Sequence, residues 1–167
     1  ILPDDIIGDL KNIYRRVTGD QPINPVGAGK RQIRESINSH INERLLPSPE
    51  ESIQLANANE YVFFPLQYPV ESRLTLFSPQ CYDQRSIIEY ISRILPADVR
   101  LLVKQHPNHP GHQSPVWIQS VDQLPNVDVV ASSVNSHKLI KSATAVVVTN
   151  NTVGFEALFY ETPLIVL

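Results

Sequence analysis

Short apolar runs alternate with segments of helical periodicity between residues 61 and 167, and this alternation constrains the fold more than any other feature. The runs rich in β-branched or aromatic residues fall at 61–65, 99–103, 127–131 and 145–148. Runs of this kind suit strands buried on both faces, and parallel strands need crossover connections, which are usually helical. We therefore predict an α/β fold over residues 61–167, a Rossmann-like parallel sheet with flanking helices.

Residues 1–60 are predicted to form a helical N-terminal segment and a linker. Apolar residues recur at helical spacing over 4–17, and a second, narrow stripe consists of Ile33, Ile37, Ile41 and Leu45. Residues 18–30, between the two helices, are rich in Pro and Gly and indicate a connection. Residues 48–59 are polar and are interpreted as the linker.

The glycines of this connection do not form a phosphate-binding P-loop. Asn24 stands where that pattern requires its first glycine, and Arg31 stands where it requires a hydroxyl after the lysine.

Composition excludes several classes of protein. The net charge of −3 comes with scattered basic residues, so we expect no nucleic-acid partner. No apolar run approaches the roughly 20 residues that cross a bilayer, and the N-terminus lacks a signal pattern. Cys81 has no partner for an internal disulfide. We predict a cytoplasmic protein without a transmembrane segment, and peripheral association with the inner membrane face stays open.

The ends of the sequence suggest a piece of a longer protein. The chain contains no Met, and it stops within residues 163–167, which read as another buried strand. We therefore expect the sheet to be truncated at its C-terminal end.

A polar turn follows the strand predicted at residues 145–148. It offers the hydroxyls, amides and backbone N–H groups of Thr149, Asn150, Asn151 and Thr152 just before a helix, where α/β folds bind phosphates. Glu156 falls in the first turn of that helix, and Phe155 and Leu158 are expected to face inward. Asn and Thr are also ordinary turn and capping residues, so a purely structural role remains open.

Two earlier strands are predicted to deliver polar residues to the same edge of the sheet. Gln67, Glu71 and Ser72 follow the first strand, and Lys104, His106 and Pro107 follow the second. Ligands of parallel sheets bind beyond the carboxyl ends of the strands, so these residues occupy candidate ligand-binding positions. The alternative is that the prolines and Ser72 simply form a loop.

His106, His109 and His112 recur every third residue but do not indicate a metal site. Pro107 and Pro110 exclude a helix that would align the three rings, and no carboxylate or Cys accompanies them. We expect no metal, and a loop histidine beside Lys104 suits an anion.

These residues together resemble the bacterial capsular polysaccharide synthesis family, which includes Kdo transferases that use a CMP-activated sugar. The resemblance covers residues 61–167. It rests on Pro65-Leu66-Gln67 with Glu71 and Ser72, on Lys104-x-His106-Pro107, on residues 124–127, and on Thr149, Thr152, Gly154, Glu156, Ala157 and Leu158.

The resemblance implies the nucleotide-binding, C-terminal half of a two-domain GT-B glycosyltransferase. His106 and the Thr152 hydroxyl would contact the donor phosphate, and Gln67 and Glu71 would lie at the interdomain cleft. The donor would be a nucleotide-sugar, CMP-linked, with no other cofactor, and a glycan or glycolipid acceptor would bind the missing domain. Thr152 stands where the family more often has Ser, and Glu71 where it more often has Asp.

The catalytic residues stay unassigned, although His106 could stabilise the leaving phosphate. Two other functions remain open: a polyol-phosphate transferase of the CDP-glycerol type, which has a similar His-Pro arrangement, and a noncatalytic α/β binding domain.

Overall fold

The computed structural model describes residues 25–68 and 78–167. The helix predicted over residues 4–17 lies outside this part of the chain, as do Glu71 and Ser72. The helices are α1 (Pro25–Leu45), α2 (Pro49–Ala58), α3 (Gln84–Ile94), α4 (Pro115–Asp122), α5 (Ser136–Ser142) and α6 (Val153–Phe159). The strands are β1 (Glu60–Pro65), β2 (Val99–Lys104), β3 (Val127–Val130), β4 (Ala145–Val148) and β5 (Leu164–Val166).

The five strands form one parallel sheet in the order β3-β2-β1-β4-β5. This arrangement confirms the predicted Rossmann-like α/β fold. The chain order reverses between β1 and β4, so the loops that follow these two strands diverge and leave a crevice at the carboxyl edge.

Each face of the sheet carries its own apolar core. Tyr61 and Phe63 of β1 pack with α2, α5 and α6 on one face, whereas Val62 and Phe64 pack with α3 and α4 on the other. Successive side chains of a strand point to opposite faces, which is why continuous apolar runs are needed here.

Helix α1 differs from its prediction in two respects. It begins at Pro25, inside the predicted connection, because Pro is well tolerated in the first turn of a helix. Its apolar stripe is also not its buried face, since Ile33, Ile37, Ile41 and Leu45 are 40–56% exposed. The buried residues are Asn38 and Asn42, whose amides donate to backbone carbonyls of the loop after β2.

The predicted linker at residues 48–59 is largely helical, because α2 fills most of it. A capping box starts this helix: Ser48 Oγ accepts from the Glu51 N–H, and the Glu51 carboxylate accepts from the Ser48 N–H. Ser52 and Ala56 are buried against the sheet, and Ser52 Oγ accepts from the Ala131 N–H. The domain boundary at residues 60/61 stays a prediction.

The prediction for the C-terminal elements was wrong in two details. Phe155 and Leu158 of α6 are 78% and 60% exposed, while Gly154 and Ala157 face inward. A side chain at Gly154 would come within 3.3 Å of Val148, so the helix lies close to β4. Strand β5 is an edge strand, and its Ile165 and Val166 are exposed rather than buried.

Among the described residues, no helix is both long and apolar enough to cross a bilayer.

Candidate functional site

A cleft of about 730 Å³ opens at the carboxyl edge of the sheet. Its walls are the segments that follow β1, β2, β3 and β4, together with the first turns of α5 and α6. The parallel strands point all four segments to one edge, so residues as far apart in sequence as Pro65 and Glu156 line one cleft.

Most of the predicted site residues that the structure describes lie in this cleft. Seven line it: Gln67, Lys104, His106, Pro107, Asn151, Thr152 and Glu156. Thr149 and Asn150 instead line a neighbouring groove of about 490 Å³ beside α6 and β5, which Asn151 also borders. The roles of all these residues stay predictions.

Lys104 is the buried cation of the cleft. It ends β2 with only 3% of its surface exposed, and its Nζ lies 3.1 Å from the hydroxyl oxygen of Ser136. Burial lowers the pKa of Lys104 to about 8, and the charge of Glu156 partly opposes this shift. Lys104 is therefore mostly protonated at pH 7, in a place where its charge is poorly hydrated.

Gln67 lines the cleft and has a buried, unsatisfied carboxamide. Its backbone is held on both sides by the buried side chain of Gln84, which accepts from the Gln67 N–H at 2.7 Å and donates to its carbonyl at 2.9 Å. The Gln67 side chain is 2% exposed, and neither of its polar atoms has a hydrogen-bond partner among the described residues. Such a group costs free energy unless a ligand or water bonds to it.

The three histidines lie in different surroundings. His106 lines the cleft, and its Nδ1 accepts from the Asn108 N–H at 3.3 Å. His109 stacks on Tyr68 with ring centroids 3.8 Å apart, and His112 meets the same ring edge-on. No group of three potential metal ligands occurs in the described part of the chain.

The N-terminus of α6 is capped by the side chain of Asn151 rather than by that of Thr152. Asn151 Oδ1 accepts from the Val153 N–H at 3.1 Å, while the Thr152 side chain makes no capping bond. Glu156, one turn into α6, places Oε2 3.7 Å from Nδ1 of His137. The cleft thus combines one buried lysine, two histidines and one carboxylate.

Sequence reasoning missed several residues that shape this site, above all Gln84 and Gln105. Gln105 is 1% exposed, lines the cleft and has no hydrogen-bond partner for either side-chain atom among the described residues. Gln84 looks like an ordinary first residue of a helix. A polar residue gives no periodic signal of burial, so neither could be identified from the sequence pattern.

The model of the family described as capsule polysaccharide biosynthesis protein matches residues 18–167. A comparison with curated proteins gave no match.

Three solved structures with a similar fold are compared with this chain. The first is Thermosulfurimonas dismutans KpsC, beta Kdo 2,7 transferase, with 18% identity and a TM-score of 0.50, over 83% of this chain and 44% of that chain. A structure of the KpsC beta Kdo 2,4 transferase from the same organism has 16% identity and a TM-score of 0.48, over 71% of this chain and 43% of that chain. The S. aureus MnaA-UDP co-structure has 14% identity and a TM-score of 0.46, over 69% of this chain and 29% of that chain.

The TM-score of 0.50 supports the Rossmann-like fold. The chain spans less than half the length of each of these three structures.

Proposed function

Because the chain belongs to the capsule polysaccharide biosynthesis protein family, we propose that it is the donor-binding half of a glycosyltransferase of the GT-B type. The donor in this proposal is a nucleotide-activated sugar, CMP-linked as in the Kdo transferases that the sequence resembles. The reaction serves capsule or surface polysaccharide synthesis on the cytoplasmic side of the membrane. The acceptor is a glycan or glycolipid held by a second domain, and no metal takes part.

The buried lysine in the cleft is the observation that carries this proposal. A cation with 3% exposure is costly unless an anion compensates it, and the hydroxyl of Ser136 supplies no charge. Glu156 contributes a favourable charge, yet burial still dominates the lowered pKa of Lys104. A phosphate bound in the cleft would restore the missing charge compensation and raise that pKa.

His106 supplies the second contact in this scheme. His106 lines the cleft, and an imidazole N–H can donate to a phosphate oxygen. Negative charge grows on the phosphate as the bond to the sugar breaks, so a fixed N–H donor and the Lys104 ammonium stabilise the transition state more than the ground state. Lys104 and His106 therefore act on the leaving group, and the base that activates the acceptor is not assigned.

Replacement of His106 tests the proposal. His106→Ala should weaken CMP binding by about 1.5 to 3 kcal/mol, the range for a hydrogen bond to a charged group. In a longer family member that turns over, the rate should fall further because the contact strengthens in the transition state. Isothermal titration calorimetry with CMP, and thermal melts of each variant, measure the two effects separately.

His112→Ala is the matched control, because its ring packs on Tyr68 and does not line the cleft. His109→Ala is a second, less independent control, because its ring packs on Tyr68 but also lies 5.5 Å from the ring of His106. They should lower the melting temperature while the folded protein keeps its CMP affinity. Unchanged affinity in the His106 variant, or equal losses of affinity in all three variants, would refute the assignment of His106 to the phosphate.

A further inference from the structure

A pocket of about 460 Å³ lies outside the cleft, between α1 and the N-terminal ends of α3 and α4, and is called the α3–α4 pocket below. Its volume falls in the range of about 300–1,000 Å³ that small-ligand sites span. Helices α3 and α4 follow β1 and β2, so the pocket lies at the same carboxyl edge of the sheet as the cleft. The cleft is bordered by α5 and α6 on one face, whereas this pocket is on the other face.

Two segments connect the α3–α4 pocket to the cleft. The loop after β2 lines the cleft with His106 and the pocket with His112. Gln84, which lines the pocket, holds the backbone of Gln67, which lines the cleft. The two sites are therefore neighbours along one edge of the sheet, as an extended ligand requires.

Two aromatic side chains line the α3–α4 pocket. Tyr82 is 56% exposed, although a large aromatic residue gains free energy when it is buried. Trp117 is half-buried and packs against the core on the same face. Aromatic faces stack on the C–H groups of sugar rings, and polar neighbours such as Gln113 can hydrogen-bond to the hydroxyls. The lining therefore suits a carbohydrate.

Arg85 offers the pocket an oriented guanidinium. Its Nε donates to Glu89 Oε1 at 2.8 Å, and its Nη1 donates to the hydroxyl oxygen of Ser120, which in turn donates to the Trp117 carbonyl at 2.7 Å. These bonds use two of the five N–H donors of a guanidinium and fix its direction. Glu89 offsets its charge, so Arg85 contributes mainly as an oriented donor.

Arg34 of α1 supplies the positive charge of the pocket. It is exposed and lines the side opposite α3 and α4. Asp83 is the one carboxylate among the described lining residues, and its oxygens accept from the N–H and the hydroxyl of Ser86. Asp83 also caps α3, where the helix dipole compensates its charge. The lining thus favours an anionic ligand.

We propose that the α3–α4 pocket binds an acidic sugar residue of the acceptor glycan, with the sugar ring on Tyr82 and its carboxylate between Arg34 and Arg85. Guanidinium groups suit this role because their paired N–H donors match the two oxygens of a carboxylate. The inference rests on the proposed function, which supplies the glycan acceptor. The second domain holds the reacting end of the acceptor, and this chain holds a more distant residue of the same glycan.

Trp117 provides a direct test, because it is the single tryptophan of the chain and lines the pocket. Titration with trigalacturonate, an oligosaccharide of uronic acids, should change the tryptophan fluorescence to a saturating value. Maltotriose, a neutral oligosaccharide of the same length, should bind at least about tenfold more weakly, because it lacks the carboxylate that the arginines bind.

Replacement of Arg34 tests the selection for acidic sugars. Arg34→Gln should weaken trigalacturonate binding by about tenfold and leave maltotriose binding unchanged, because only the acidic sugar uses the charge. Arg44→Gln is the matched control: Arg44 is exposed on the same helix but does not line the pocket, so both affinities should stay as they are.

Replacement of Tyr82 tests the stacking surface. Tyr82→Ala should weaken the binding of both sugars by about threefold or more, because both lose the aromatic face. Tyr90→Ala is the matched control, since Tyr90 is 64% exposed on α3 and does not line the pocket. It should leave both affinities unchanged.

The outcomes separate this inference from the proposed function. Fluorescence that does not respond to trigalacturonate, or equal affinities for the two sugars in the unmodified chain, would overturn the inference without any variant. Equal losses of trigalacturonate affinity in the Arg34 and Arg44 variants would overturn it as well. In each case, CMP binding that depends on His106 would leave the proposed function standing. Selective trigalacturonate binding without CMP binding would support the glycan site and overturn the donor-binding role.

Discussion

Buried polar side chains at the carboxyl edge of the sheet destabilise the fold, because contacts among the described residues do not offset the free energy of burying them. Gln67 and Gln105 have unsatisfied carboxamides among the described residues, and Lys104 carries a charge at 3% exposure. A core of this size could fill such positions with apolar groups at lower cost. Their presence around one cleft is therefore better explained by ligand binding than by stability.

Replacement of Lys104 by Met should raise the free energy of unfolding and lower the affinity for CMP. Burial lowers the pKa of Lys104 to about 8 from an ordinary value of 10.5, so below pH 8 the folded state bears a charge that the unfolded state hydrates better. Lys104→Met should raise the free energy of unfolding at pH 7 by roughly 1 to 3 kcal/mol and should abolish most CMP affinity.

The difference in free energy of unfolding between Lys104→Met and the unmodified chain should depend on pH. Between pH 8 and 10.5 the unfolded state binds more protons at this residue, so the stability of the unmodified chain rises with pH and the difference from the variant shrinks. Urea denaturation of the variant and the unmodified chain at pH 7 and pH 10 measures this difference in stability. A variant that is less stable than the unmodified chain at pH 7 would show that the contact with Ser136 outweighs the cost of burial.

At the scale of elements, α1 is attached to the sheet domain by backbone contact with the loop after β2. Asn38 Nδ2 donates to the Gly111 carbonyl at 3.1 Å, and a Cβ on Gly111 would lie 1.6 Å from the Glu35 carbonyl oxygen and 2.7 Å from the Ser39 nitrogen. Glycine is therefore required at this position by close approach of two backbones.

Gly111→Ala should destabilise the chain by about 2 kcal/mol or more, because α1 would have to move away from the loop. Gly29→Ala is the control in the same helix: a Cβ there has no neighbour within 4 Å, so the change should stabilise by about 0.5 to 1 kcal/mol. Denaturation curves of the two variants measure both effects. Similar stabilities would show that α1 does not pack on Gly111 in solution.

At the scale of the whole molecule, the chain covers 44% or less of the solved structures to which it is similar. The proposed GT-B arrangement forms its active site between two domains, and only the donor-binding half is assigned to this chain. The second domain would position the acceptor and exclude water when the site closes.

We therefore expect the chain alone to bind CMP but to have little or no glycosyl transfer activity. Product formation from a CMP-linked sugar and a glycan acceptor, followed by mass spectrometry, measures transfer, and calorimetry on the same sample controls for an intact donor site. Turnover at a rate like that of a two-domain family member would contradict this expectation.

The alternation of apolar runs and helical segments is enough to predict the sheet and the edge at which polar residues gather. Continuous apolar runs specify buried parallel strands, and parallel strands with crossover helices bring their carboxyl ends to one edge. For this reason the sequence alone predicts that Gln67, Lys104, His106 and Thr152 lie at one edge. Periodicity is a local property of the chain, and it was sufficient for this part of the prediction.

Tertiary structure alone decided which surfaces are buried. The stripe of α1 that includes Ile37 is exposed while Asn42 is buried, Phe155 points outward beside an inward Gly154, and Gln105 lies between two cavities. In each case the hydrophobicity of the residue predicts the opposite burial. The outcome depends on hydrogen bonds and close backbone contacts with segments distant in sequence, such as Pro110 with Asn42, and no local pattern records those partners.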